Sequence, residues 1–135
     1  MKISIYILLT VVTGIFCAVT GCIEFGAEPS YTRERSTDPS KNYQHSIKYF
    51  NQARQEYLNF KFQDSIASLQ KAIANEMSDP GKARYYIYMG ANYFYLGDLK
   101  SAQSCFSVAK KYNRYAKPSS MEFPPEIIRL YNRVP

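Results

Sequence analysis

Tryptophan is absent, histidine occurs once and cysteine three times, and these scarcities remove whole classes of chemistry. With His45 alone, neither a Ser-His-Asp triad nor a two-histidine metal site can be assembled within one chain. No HExxH, GxGxxG or phosphate-loop pattern occurs either. Glu56, Asp64 and Asp98 are scattered carboxylates that helical spacing does not pair, so a glycosidase-like couple is not expected. His45 itself reads as a solvated residue near a helix start. Cys17 and Cys22 belong to an N-terminal apolar region, which leaves Cys105 alone in the body of the chain and excludes a disulfide scaffold. Beside Phe106, Cys105 reads as a small buried hydrophobe. Acidic residues are also in deficit, 11 against 17 basic, giving a net charge of +6 and a bias toward anionic surfaces or polymers. The chemistry available is that of binding; no enzyme, cofactor or metal is implied.

Aromatic rings, by contrast, are plentiful. Thirteen tyrosines and eight phenylalanines supply large apolar area with polar tips, suited either to interfaces or to helix packing.

The first 21 residues stand apart. Lys2 is followed by an uncharged apolar run over residues 3–19, then by small residues, which is the anatomy of a secretory signal. The alternative is an uncleaved anchor, since a bilayer needs about 20 apolar residues. Val19-Thr20-Gly21-Cys22 resembles the lipobox of bacterial lipoproteins, in which cleavage precedes the cysteine and the new terminus is acylated, typically with palmitate among the chains. That resemblance makes residues 1–21 a signal peptide and Cys22 the lipidated first residue. It implies a membrane-anchored protein of the bacterial envelope, with no nucleic acid as partner. Ile23 after the cysteine would favour the outer membrane, facing the periplasm, where sorting depends on an acidic residue at that place.

Residues 22–41 carry Pro29, Pro39, several Ser and Thr and no sustained apolar period, so they are expected to form a linker. Residues 42–135 read as one all-α domain. Apolar spacing predicts helices over 43–59, 63–76, 82–96 and 99–113. Ser78-Asp79-Pro80-Gly81 is expected to end the second, and Gly97 to close the third. Pro124-Pro125 is expected to open a last short helix over 126–132.

Two of the hairpins align. Tyr86, Met89, Gly90, Tyr93, Leu96, Gly97, Ala102, Phe106 and Ala109 fall at spacings that resemble the tetratricopeptide repeat (TPR). The first hairpin follows with Tyr49, Ala53, Phe62, Ser65, Leu69 and Ala72, although Glu56 stands where a tyrosine is wanted. From Ser65 to Ala102 is 37 residues (102 minus 65), against about 34 for the repeat. A short insertion over 76–82 would absorb the difference. An isolated pair of repeats leaves one apolar face open. The tail offers Ile127, Ile128, Leu130 and Tyr131 as a capping helix, the alternative being a peptide that docks on a partner.

The resemblance implies a concave groove lined by the first helix of each pair, here Ile47, Phe50, Arg54, Tyr57 and Leu58, then Arg84, Ile87, Ala91, Phe94 and Tyr95. It implies a protein-protein interaction scaffold whose partner is an envelope protein or peptide segment. Small lipoproteins of this kind often serve as assembly factors or pilotins for envelope machines such as secretion systems, pili or the outer-membrane insertion apparatus. The carboxylate-clamp subtype needs Lys and Asn where this chain has Ile87 and Ala91, so that ligand is not expected. Two other roles stay open, binding of a cell-wall or anionic polymer and self-association as a homo-oligomeric structural subunit. The basic cluster Lys110, Lys111, Arg114 and Lys117 suits the first, but equally complements a helix C-terminus.

Overall fold

The structure, a computed structural model, describes residues 37–135. The signal segment over 1–21, Cys22 and the linker up to residue 36 lie outside the described residues. Five helices follow: α1 (Pro39–Leu58), α2 (Phe62–Asn75), α3 (Asp79–Tyr95), α4 (Leu99–Tyr112) and α5 (Pro125–Arg133). The described residues contain no strand, and none of their helices is long and apolar enough to cross a membrane. The fold is all-α, with two TPR-like hairpins, α1/α2 and α3/α4, and a C-terminal capping helix.

The repeat register holds over the second helices. Both α2 and α4 have 14 residues, and each end of α4 lies 37 positions after that of α2 (99 minus 62, 112 minus 75). Ser65 and Ala102, Leu69 and Phe106, Ala72 and Ala109 are equivalent pairs, and all six are fully buried. Gly90 provides the close approach within the second hairpin, because a Cβ there would lie 2.3 Å from the ring of Phe106. The two hairpins are joined by polar contacts as well as rings. Ser65 donates to the Ala53 carbonyl at 2.9 Å, and Asn92 Nδ2 donates to Ser65 Oγ at 3.0 Å, linking α1, α2 and α3.

Two starts differ from the sequence-based expectation. Helix α1 begins at Pro39 and takes residues 39–41 out of the expected linker, because the Asp38 carboxylate accepts from Ser40 N and a proline has no N–H to satisfy in a first turn. Helix α3 begins at Asp79, so Pro80-Gly81 opens a helix rather than only ending its predecessor. Ser78 caps it, accepting from Gly81 N at 3.2 Å. The expected insertion over 76–82 is thus not looped out, since only residues 76–78 connect α2 to α3.

That connector carries a buried charge. Glu76 is 4% exposed and its carboxylate accepts from Ser46 Oγ (3.1 Å), Tyr85 OH (3.0 Å), Ser78 N (2.9 Å) and Ser78 Oγ (2.8 Å). Desolvation raises its pKa, but the hydrogen bonds outweigh that and hold it below the ordinary carboxylate value. The Tyr85 hydroxyl is pushed up to about 12, first by burial.

Helix α5 closes the second hairpin. Its Ile127 and Tyr131 are buried, and Tyr131 meets Phe106 edge-on at 5.4 Å while donating to the Ala116 carbonyl at 2.6 Å. Lys110, in the last turn of α4, lies over the Tyr131 ring at 4.9 Å and donates to the Val134 carbonyl. One member of the basic cluster therefore fastens the cap.

Candidate binding groove

The groove that the repeat pattern leads one to expect lies on α1 and α3, the first helix of each hairpin. Their junction is aromatic. Phe50 stacks on Tyr85 at 4.6 Å and meets Tyr88 edge-on at 5.2 Å, and Tyr57 meets Tyr88 at 5.7 Å. Arg84 lies over the Phe50 ring at 4.8 Å, and Arg54 Nε donates to the Tyr88 hydroxyl at 3.1 Å. Burial raises the pKa of both Tyr57 and Tyr88, so these hydroxyls remain neutral donors and acceptors across the physiological range.

The groove is not empty. The connector between α4 and α5 crosses it and seats Phe123, 4% exposed, against Tyr88 at 4.8 Å and Tyr57 at 6.0 Å. The preceding residue, Glu122, places Oε1 3.3 Å from Arg54 and 3.4 Å from Arg84. Two arginines from different helices thus converge on one carboxylate, with an aromatic slot beside it. A residual cleft of about 260 Å³ remains between Arg84, Ile87 and Tyr88 on one side and residues 116–119 with Glu122 and Phe123 on the other.

The ten residues expected to line the groove fall into three groups. Phe50, Tyr57, Ile87 and Ala91 are buried. Ala91 lies at the core, and Tyr57 has the tail's Phe123 against it. Arg54 and Arg84 keep access to solvent and hold Glu122. Leu58 and Tyr95 are exposed, with Ile47 and Phe94 half-buried, so this part of the set stays accessible. Glu122 and Phe123 are the residues that sequence reasoning missed. Their signal was an acidic-aromatic pair immediately before Pro124-Pro125, and the turn that presents them is closed by Glu122 N and Phe123 N donating to the Ser119 carbonyl.

The remaining reactive candidates are structural. Cys105 is buried, and desolvation, then the Asp98 charge, pushes its thiol up to about 11, which leaves it protonated and inert. His45 is half-buried rather than fully solvated, with Nδ1 lacking a hydrogen-bond partner. Among the described residues no cluster of His, Cys, Asp and Glu could hold a metal ion.

Comparison with known proteins finds no matching family model, no similar curated protein and no similar solved structure.

Proposed function

We propose that this chain is a lipid-anchored protein of the bacterial envelope, held to a membrane through acylated Cys22, whose helical-hairpin domain binds a segment of an envelope protein and helps assemble or scaffold a complex there. The observation that supports it is the manner in which α1 and α3 hold residues 119–124. Two arginines on one carboxylate, flanked by an aromatic slot, are the chemistry by which a groove recognises a short peptide segment, because a guanidinium pair fixes direction and a buried ring supplies area. A partner segment bearing an acidic residue followed by an aromatic one would exchange with Glu122-Phe123. The role is one of binding, not catalysis.

Photocrosslinking in the native host, with a photoreactive residue at Phe94 and a Cys22→Ala control, tests this reading. Phe94 is half-buried beside Tyr95 at the open end of the groove. A discrete protein adduct that disappears in the unlipidated control is the expected result. Absence of any protein adduct overturns the scaffold reading.

A further inference from the structure

The end of the hairpins where α1 turns into α2, and α3 into α4, carries exposed apolar side chains, two of which, Leu58 and Tyr95, also belong to the set expected to line the groove. Leu58 (61%), Phe60 (78%), Tyr95 (43%), Leu96 and Leu99 (51%) are all exposed. The rings are continuous across the two turns, since Phe60 meets Phe62 edge-on at 6.1 Å and Phe62 stacks on Tyr95 at 4.9 Å with an interplanar angle of 6°, and the three leucines lie within four residues of these rings in the sequence. Contiguous exposed apolar surface of this kind marks a contact with something outside the chain.

The two turns have the same hydrogen bonds. In the second, Gly97 N donates to Phe94 O and Asp98 N to Tyr93 O; in the first, Phe60 N donates to Tyr57 O and Lys61 N to Glu56 O. Both are helix ends that require a left-handed residue. The second turn has Gly97 there, at φ +80, and the first has Phe60 in the equivalent place, at φ +60. A bulky residue in this conformation is costly, and it persists where something beyond the local fold requires it. What the position gives Phe60 is projection into solvent.

We propose that this end of the hairpins is a membrane-contacting surface, seated shallowly in the headgroup region of the bilayer to which the N-terminal segment ties the chain. The proposal rests on the membrane-tethered reading above. Three observations favour a lipid surface as the occupant. Phe, Leu and Tyr are the side chains that partition to the boundary between headgroups and acyl chains. The adjoining charges, Lys61 and Lys100 against Asp64 and Asp98, cancel, so apolar insertion rather than attraction to anionic lipid is the driving term. Residues 23–38 number 16 (38 minus 22), enough for a reach of about 50 Å when extended. The 20 residues of α1 span only about 30 Å, so its far end can return to the bilayer that holds Cys22. A tether of that length keeps the patch near the membrane, where weak insertion suffices. A soluble partner has no such advantage.

Because the chain lacks tryptophan, Phe60→Trp creates a single fluorescent reporter. The full chain, purified with its N-terminal segment, is reconstituted into neutral phosphatidylcholine vesicles with ordinary or brominated acyl chains. The expected result is vesicle-bound protein whose emission is blue-shifted and lost to the bromines, unchanged by high salt. Gln70→Trp, on an exposed part of α2, should emit as in water and resist the bromines. Leu99→Trp reports from the second turn if the first variant folds poorly. Vesicle-bound protein with solvent-like, unquenched emission at both turns overturns the proposal and leaves the tether intact. Protein that fails to co-sediment with vesicles overturns both readings. A blue shift that needs no lipid and grows with protein concentration assigns the patch to a second copy, which also overturns it.

Discussion

Replacing Phe60 by Gly and, separately, by Ala isolates the conformational cost of the first turn. Phe60 sits at φ +60 and is largely exposed, so little hydrophobic burial is lost when the ring is removed. Its ring contact with Phe62, edge-on, contributes about 0.5 kcal/mol, and both substitutions lose it equally. They differ in the Cβ. A left-handed conformation costs a residue with Cβ about 1–2 kcal/mol, whereas Gly adopts it freely. Against this, Gly makes the unfolded chain more flexible, which subtracts about 0.4–1 kcal/mol. The Gly variant should therefore exceed the Ala variant by about 1 kcal/mol, and should equal or slightly exceed the natural chain. In urea unfolding followed by circular dichroism, that difference corresponds to a midpoint shift of about 0.5 M at a slope near 2 kcal/mol/M. Gly97→Ala is the mirror experiment. A Cβ there meets nothing within 4 Å, so a loss of about 1 kcal/mol would come from the backbone alone. If the Ala variant at position 60 proves as stable as the Gly variant, the first turn is not left-handed and the argument that Phe60 is kept against stability fails.

Gly90→Ala should be worse than Gly97→Ala despite its helical backbone, by overpacking worth about 1–3 kcal/mol, because its Cβ would lie 2.3 Å from the Phe106 ring; thermal unfolding of the pair ranks them. Phe123→Ala removes a buried ring from the groove and should cost about 3–5 kcal/mol. If that variant remains folded, a fluorescent synthetic peptide of residues 117–125 should bind to it and not to the natural chain, as read by anisotropy. Glu76 has a folded pKa below its unfolded value, so its stabilisation is complete above the unfolded pKa and is lost as pH falls through the folded one. Stability measured from pH 6 down to pH 3 should thus fall less steeply in Glu76→Gln than in the natural chain below about pH 4.5.

The helices themselves were legible because their signals are local. Apolar residues at three- and four-residue steps, Gly97 after α3 and Pro124-Pro125 before α5 each act within a turn or two of chain. The 37-residue register between the hairpins was legible for the same reason, since it repeats that local pattern. Pro80 was misread because a proline ends one helix and begins another with equal ease. Only the Ser78 side chain reaching Gly81 N decides which it does. Phe60 was hidden by its identity, as nothing about a phenylalanine signals a left-handed backbone. Its alignment with Gly97 was the available clue.

The sequence by itself determined an all-helical chain with paired hairpins, a tail that caps them and a buried thiol at Cys105, because periodicity, breakers and residue inventory need no partner to act. Tertiary structure alone decided what fills the groove and what remains outside it. The convergence of Arg54 and Arg84 on Glu122, the seating of Phe123 on Tyr57 and Tyr88, and the hydrogen bond from Ser46 to Glu76 join residues far apart in the chain. Such contacts depend on how helices cross and where a connector is led between them, and no spacing within a single helix encodes that.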